Sequence, residues 1–140
     1  MKKALIVYNS KTGITKKFGQ EIESFCSQNG LNTEIVSIDE FKKEALTGID
    51  YLFLGCWTSG LMILFQHPDQ FWVKFADSLP ELKGMKIVLF TTYKLATGSL
   101  FKKMKAHIKS DPTNIVLELK SRNGKLLDAN EVLLKNSITL

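Results

Sequence analysis

Short apolar runs rich in β-forming residues alternate with longer stretches whose apolar residues recur at helical spacing. The runs predict strands over residues 3–9, 31–38, 50–55, 86–91 and 114–120. Helices are predicted over residues 15–28, 68–79, 97–109 and 129–135, with another short one before Gly48. Strict alternation of strand and helix is typical of a five-stranded parallel sheet with helices on both faces. In such a doubly wound α/β fold, ligands bind outside the carboxyl ends of the strands.

The composition is that of an ordinary soluble protein, and the length predicts a single domain over residues 1–140. Hydrophobic residues make up 44% of the chain and charged residues 24%. The longest uninterrupted apolar run, residues 61–65, is far too short to span a bilayer. The basic N-terminus is followed by only five apolar residues and by no cleavage site, which predicts a cytoplasmic protein. Cys26 and Cys56 lack the spacing of a metal site or a disulfide framework, so no metal ligands are predicted.

The net charge of +5 comes almost entirely from lysine, because Arg122 is the only arginine. Proteins that read bases rely on arginine, whose planar guanidinium grips guanine edges and phosphates with two hydrogen bonds. The lysine-rich surface therefore predicts attraction for acidic partners and no specific nucleic-acid binding.

A cluster of hydroxyl side chains follows the first predicted strand. Ser10, Thr12 and Thr15 surround Gly13 at the point where a helix begins. The unpaired amides of a helix start and its dipole attract anions, and glycine lets the backbone approach a ligand closely. One hydroxyl would be enough for an ordinary helix cap, whereas three favour a phosphate-binding loop.

Other phosphate-binding motifs fail on spacing. The chain contains no GxGxxG sequence. It contains no GxxxxGK[ST] sequence either, because Gly13 and Gly19 are six positions apart and Gln20 follows Gly19. The end of the first strand lacks the acidic residues of a response regulator. A Cys-x5-Arg phosphatase motif is excluded because Met62 stands six positions beyond Cys56.

The segment Ser-Lys-Thr-Gly-Ile-Thr at residues 10–15 resembles the flavodoxin signature [TS]-x-T-G-x-T in every fixed position. The resemblance extends over essentially the whole chain and implies the flavodoxin strand order 2-1-3-4-5. It also implies that this loop binds the phosphate of FMN. The implied contacts are the side chains of Ser10, Thr12 and Thr15 and the backbone of Lys11, Gly13 and Ile14. Isoleucine at position 14 replaces the usual asparagine, which removes one side-chain contact found in many members.

Two further loops resemble the flavin-binding loops of the family. After the third strand, Trp57 offers a flat face for stacking on the flavin ring. Gly60 resembles the family's glycine whose peptide group forms a hydrogen bond to N5 of the flavin. Trp57 lies earlier in this loop than the usual stacking aromatic, so packing in the core is the alternative. After the fourth strand, Tyr93 is the candidate for the outer face of the ring, with a surface tyrosine as the alternative. The remaining implied contacts are Thr58, Ser59, Thr91, Thr92 and Gly98.

The apolar residues 61–65 are unusual beside a cofactor loop. They form either a lid or docking patch next to the flavin, or a buried lead-in to the helix expected to begin at Pro68.

The resemblance implies an FMN-binding electron-transfer protein that works with a redox protein partner, here an acidic one, as a monomer or weak dimer. No residue pair resembles an acid–base or nucleophile system, so no catalytic residues are predicted. Two alternatives remain open. One is an FMN-dependent oxidoreductase acting on a quinone or tetrapyrrole type of molecule, and the other is a flavin-less interaction module on the same fold.

Overall fold

The computed structural model describes residues 1–61 and 64–138, which form one central sheet with helices on both faces. The strands are β1 (Lys3–Asn9), β2 (Asn32–Ser37), β3 (Tyr51–Leu61), β4 (Leu64–Pro68), β5 (Lys86–Thr92) and β6 (Ile115–Ser121). The helices are α1 (Ile14–Gln28), α2 (Gln70–Ser78), α3 (Leu100–Ala106) and α4 (Asp128–Ser137), and short 3₁₀ helices cover Lys43–Leu46 and Pro112–Asn114.

Five parallel strands run in the order β2-β1-β3-β5-β6. This is the predicted order 2-1-3-4-5, because β4 is an additional strand that pairs only with β3. The predicted flavodoxin-like doubly wound sheet is therefore confirmed, and residues 1–61 and 64–138 form six strands where the sequence predicts five.

The sheet divides the core into two layers. On one face, α2 and α3 cover the sheet with Trp72, Phe75, Leu100 and Met104 among their buried residues. On the other face, α1 contributes Phe18, Ile22 and Cys26, and Leu134 of α4 joins them. Burial of both faces explains why the central strands are apolar at nearly every position. The helical spacing predicts inward faces made of Phe18, Ile22 and Phe25 in the first helix and of Leu100, Phe101, Met104 and Ile108 in the helix at residues 97–109. All of these side chains are buried or partly buried in the two layers, which confirms the prediction.

The start of α2 differs from the prediction. Pro68 is the last residue of β4, and Asp69 caps α2 by accepting a hydrogen bond from the Phe71 amide. The helix packs on the sheet through Trp72, Phe75 and Ala76, so that Trp72 is fully buried and Phe71 is 59% exposed. The apolar spacing of residues 68–79 predicts Phe71 on or near the buried side of this helix, and its exposure shows that this prediction was wrong.

In the described parts of the chain, no helix is long and apolar enough to cross a membrane.

Candidate functional site

The carboxyl ends of β1, β3 and β5 bring the three predicted ligand loops together. Asn9 at the end of β1 is paired with Cys56 of β3, and Cys56 is paired in turn with Thr91 of β5. Trp57 is paired with Thr92, the last residue of β5. The residues that follow these positions therefore share one edge of the sheet, at the switch in strand order where this fold binds ligands.

The β1–α1 loop is shaped by Ser10 and Gly13. Ser10 Oγ accepts hydrogen bonds from the Gly13 amide at 3.0 Å and from the Lys16 amide at 3.3 Å. Gly13 has a φ of 94°, a left-handed conformation that glycine adopts without strain. A Cβ at Gly13 would meet nothing within 4 Å, so backbone conformation alone selects glycine here. The Ser10 side chain thus holds the loop as a turn around the start of α1.

Free hydrogen-bonding groups remain in this turn. The first intrahelical bond runs from the Lys17 amide to the Gly13 carbonyl. Within the described residues, the amides of Ile14 and Thr15 find no acceptor, as expected of the first turn of a helix. The side-chain oxygen of Asn9, Oδ1, is buried at the end of β1 and has no partner either. Native structures rarely leave a buried group such as Asn9 Oδ1 unpaired, so its position next to the open amides of this turn indicates a place for a polar ligand.

The hydroxyls of the signature have different roles in the fold. Thr12 is exposed, whereas Thr15 is 2% exposed and its Oγ1 lies 2.6 Å from Thr92 Oγ1. Thr15 therefore joins α1 to the end of β5, and its amide is the group left for an anion. Thr12 is the exposed residue of the three, and the Ser10 hydroxyl, which accepts two amide hydrogen bonds, keeps a proton that it can donate to a ligand.

A chain of threonine hydroxyls fixes the loops after β3 and β5. Thr91 Oγ1 donates to the Cys56 carbonyl at 2.6 Å and lies 3.0 Å from Thr58 Oγ1. Thr91 and Thr92 are buried within the sheet, so their side chains fix the strand ends beneath the site through hydrogen bonds. Sequence reasoning predicted backbone contacts to a ligand from both residues and missed this supporting function.

Both candidate aromatic side chains are half-buried and have a cation near their rings. Lys11 Nζ lies 4.8 Å from the centroid of the Trp57 ring. Lys120 Nζ and Arg122 Cζ lie 5.7 and 5.5 Å from the Tyr93 ring. Contacts of this length are within the range of cation–π attraction. The structure thus brings Trp57 next to the phosphate-type loop and surrounds Tyr93 with positive charge.

The loop predicted after the third strand is a β-hairpin. β3 continues through Trp57 to Leu61, and β4 returns antiparallel to it, with Ser59 opposite His67. The pairing shifts register between Ser59 and Leu61, around Gly60. Residues 61–65 therefore fall largely within this hairpin; Met62 and Ile63 lie outside the described residues. The signal that sequence reasoning missed is the β-prone character of the run itself.

Contacts with α3 and with the loop before it hold the hairpin in place. Gln66 is 3% exposed, and its carbonyl accepts a hydrogen bond from Lys103 Nζ at 2.8 Å. A Cβ at Gly98 would lie 2.5 Å from Gln66 Oε1, and the φ of 53° favours glycine, so this loop packs closely against β4. The structure places Gly98, a predicted ligand contact, against the hairpin.

The Cys56 thiol, fully buried in β3 beneath the site, is unreactive. Burial raises its pKa, and the Asp69 carboxylate raises it further, although a hydrogen bond with Thr91 acts in the opposite direction. A thiol that stays protonated is a poor nucleophile and a poor metal ligand. The geometry therefore offers amides, hydroxyls and flat aromatic faces, which suit binding of an anionic, planar ligand.

Comparisons with known proteins agree with this fold. A family model described as "Flavodoxin domain" matches residues 5–126. A flavodoxin of Megasphaera elsdenii is 32% identical over 93 residues, an alignment that spans 66% of this chain and 66% of the relative.

Solved structures give the same picture of the fold. The two-electron reduced flavodoxin of Megasphaera elsdenii superposes with a TM-score of 0.73 at 24% identity, covering 94% of this chain and 93% of that one. A Fusobacterium nucleatum flavodoxin bound to flavin mononucleotide gives 0.62 at 15% identity, covering 97% and 94%. Because the family model spans most of the chain, including the β1–α1 loop, the protein belongs to the flavodoxin domain family.

Proposed function

We propose that the protein binds FMN at the carboxyl ends of β1, β3 and β5 and carries electrons between redox partners. The observation that carries this proposal is the β1–α1 turn, where a flavodoxin signature folds into a helix start with free amides at Ile14 and Thr15. The buried, unpaired Asn9 Oδ1 beside it is a second group that a polar ligand would satisfy. The FMN-bound state of the Fusobacterium nucleatum relative supports the same assignment.

The turn would hold the phosphate of FMN. The amides of Ile14 and Thr15, the Thr12 hydroxyl and the dipole of α1 are the groups available to phosphate oxygens. Backbone groups of Lys11 and Gly13 complete the turn, and Ser10 keeps it in shape. No magnesium is needed, because amides and a helix dipole stabilise the negative charge directly.

The remaining predicted residues would hold the ring. Trp57 offers its face from the hairpin, and Tyr93 offers a face from the loop after β5. The backbone of Thr58, Ser59 and Gly60 follows Trp57 along β3 and would line the edge of the ring. Stacking of aromatic faces excludes water and fixes orientation. When bound, FMN supplies a ring that accepts and donates one or two electrons, and the protein supplies binding and electrostatics.

An electron carrier suits this site better than a stand-alone oxidoreductase. Its described side chains are hydroxyls, aromatics and lysines, and the Cys56 thiol is held protonated by burial. Among the described residues, these groups form no nucleophile–base pair, so the chemistry would be left to the flavin. We therefore propose a redox protein as the partner, an acidic one in view of the net charge of +5. A cytoplasmic location and a monomeric or weakly dimeric state stay predictions.

The decisive experiment compares FMN with riboflavin. Flavin-free protein titrated with each compound, followed by flavin fluorescence, should bind FMN at least tenfold more tightly because only FMN carries the phosphate. Equal affinities would contradict the assigned function of the turn. If the protein bound neither FMN nor riboflavin, the alternative of a flavin-less interaction module would be favoured.

A pair of threonine variants locates the contact. Thr12→Ala should weaken FMN by about 1–2 kcal/mol, the loss of one hydrogen bond to a charged group. Riboflavin affinity should not change. Thr47→Ala, at an exposed threonine in the segment before β3, is the matched control and should leave both affinities unchanged. An identical effect of the two variants would remove Thr12 from the site.

A further inference from the structure

An open cleft of about 570 Å³ lies between α3, β6 and α4 on the flank of the proposed flavin site. Its lining includes Thr97 and Gly98 from the loop after β5, Lys102 and Lys105 from α3, Lys120 from β6 and Leu133 from α4. The loop that carries Tyr93 thus continues into the wall of this cleft.

Positive charge dominates the lining of the cleft. Three lysines are opposed by one carboxylate among the described lining residues, that of Glu118. Glu118 forms an ion pair with Lys105, so the charges of Lys102 and Lys120 are left uncompensated in the cleft. Asn130 of α4 donates a hydrogen bond to the Lys120 carbonyl and joins the two sides of the cleft.

Apolar side chains lie beside these charges. Phe101 and Leu133 line the cleft, and Leu133 is 48% exposed; Val132, next to Leu133 in α4, is 60% exposed. Large apolar residues clustered on a surface and bordered by charges are typical of protein interaction sites. The surface thus combines an apolar contact area with lysines that attract a negatively charged protein.

The cleft is continuous with the proposed redox site. Lys120 lines the cleft, and its ammonium lies 5.7 Å from the Tyr93 ring. Arg122, two positions further along the chain, lies 5.5 Å from the same ring. A protein seated on the cleft would therefore lie directly beside the loop that holds the outer face of the flavin.

We propose that this α3–β6–α4 cleft is the docking surface for an acidic electron-transfer protein, an inference that rests on the proposed function. The partner would place carboxylates against Lys102 and Lys120 and an apolar residue against Leu133. Charge complementarity governs the encounter rate, and the apolar contact governs the lifetime of the complex.

The test uses FMN-loaded protein and a purified acidic [2Fe–2S] ferredoxin as the probe. Stopped-flow measurements give the second-order rate constant for electron transfer from reduced ferredoxin at low and at high ionic strength. Lys102→Glu should lower this rate constant at least fivefold at low ionic strength, and high salt should abolish the difference. Lys83→Glu is the matched control, because it makes the same charge change at an exposed lysine that lies outside the cleft and is 80% exposed. It should lower the rate constant less than twofold. Equal effects, or no effect of Lys102→Glu, would overturn the docking surface.

A second variant tests the apolar part of the surface. Leu133→Ser should raise the dissociation constant of the ferredoxin complex at least threefold at both ionic strengths, since apolar contacts are not screened by salt. An unchanged dissociation constant would overturn the assigned contact.

Displacement of ferredoxin by citrate at constant ionic strength would overturn the proposal in favour of a small carboxylate ligand. A self-association of the chain that Leu133→Ser abolishes would overturn it in favour of a second copy.

The same titration separates failure of the docking surface from failure of the proposed function. Ferredoxin binding is also measured on flavin-free protein, and FMN affinity is measured for every variant. Protein that binds ferredoxin through Lys102 but takes up no FMN would refute the flavin assignment alone. Protein that binds FMN but shows no dependence on Lys102 or Leu133 would refute the docking surface alone.

Discussion

Each aromatic residue of the proposed flavin site contacts a cation from a neighbouring loop. The Lys11 ammonium lies over Trp57, which links the phosphate-type turn to the hairpin. Such a contact contributes about 0.5–1 kcal/mol at an exposed position. A ligand that stacks on Trp57 therefore enters an environment that already favours an electron-rich ring or a negative charge.

Tryptophan fluorescence tests the position of Trp57. Addition of FMN to flavin-free protein should quench emission strongly, because a stacked flavin accepts excitation at contact distance. Trp57→Phe should leave only Trp72, which is fully buried among core side chains, and should show weaker quenching and lower FMN affinity. Unchanged quenching and affinity in this variant would assign Trp57 to structural packing.

Gly55 is required for packing behind the site. A Cβ there would overlap the Phe90 ring, which is itself fixed edge-to-face against Phe18 with ring centroids 5.9 Å apart. Gly55→Ala should therefore lower the free energy of unfolding by about 1–3 kcal/mol, the usual cost of overpacking, as measured by urea denaturation.

Gly19→Ala is the matched control for Gly55→Ala. The added Cβ would lie 3.1 Å from Ile35 Cδ1, the end of a flexible side chain, and alanine gains about 1 kcal/mol of helix propensity within α1. The free energy of unfolding should therefore change little. An equal loss in both variants would show that Phe90 does not distinguish the two positions.

At the scale of elements, the parts predicted correctly are those whose local pattern and tertiary environment agree. The apolar residues of α1 recur with a single helical period. The Asn29–Gly30 pair predicts the end of this helix, and Gly30 has the left-handed φ of 91° that such an end requires. The hairpin was missed because its pairing joins Ser59 to His67 across residues that have no turn signature. Pro68 follows an apolar run and precedes a helical pattern, so it fits the end of a strand and the start of a helix equally well. Only the cap from Asp69 decides between them.

Site residues show the same division. The β1–α1 turn could be predicted because its conformation depends on neighbours in sequence, chiefly Ser10 and Gly13. The bond between Thr15 and Thr92 could not, because it joins residues far apart in the chain. The inward positions of Phe101 and Met104 predict that Lys103 faces solvent, and nothing in the sequence indicates that it donates to a carbonyl of the hairpin.

Lys103 should control the stability of the hairpin. Lys103→Met keeps the length of the side chain but removes the hydrogen bond to the Gln66 carbonyl, which is worth about 1.5 kcal/mol for a charged donor. Amide hydrogen exchange across β4 should therefore become roughly tenfold faster, while exchange in β1 stays unchanged. Lys102→Met, at the exposed neighbouring position, is the control. Similar exchange in both variants would show that α3 does not hold β4.

At the scale of the whole molecule, the net charge of +5 is unevenly distributed around the proposed site. Lys11, Lys94, Lys120 and Arg122 all belong to loops or strand ends at the carboxyl edge of the sheet, or approach an aromatic residue there. Positive charge near a redox centre stabilises the form with the additional electron. The field of the molecule should therefore raise the reduction potential of bound FMN and favour encounter with acidic proteins.

The position of Lys94 allows the local field to be separated from net charge. A unit charge about 8 Å from a redox centre, at an effective dielectric constant of about 40, contributes about 1 kcal/mol. For a one-electron couple this is roughly 40 mV, from 59 mV per tenfold change. Lys94→Glu, a reversal at an exposed residue of the loop after β5, should lower the semiquinone–hydroquinone potential of bound FMN by several tens of millivolts at low salt. Lys83→Glu makes the same change of net charge on a side chain that is 80% exposed in a loop after α2, and screening should limit its effect to a small fraction of that value. Potentiometric titration of both variants at low and high ionic strength measures the difference. Equal shifts in the two variants would mean that the potential depends on net charge alone, and the absence of any shift would place Lys94 outside the field of the flavin.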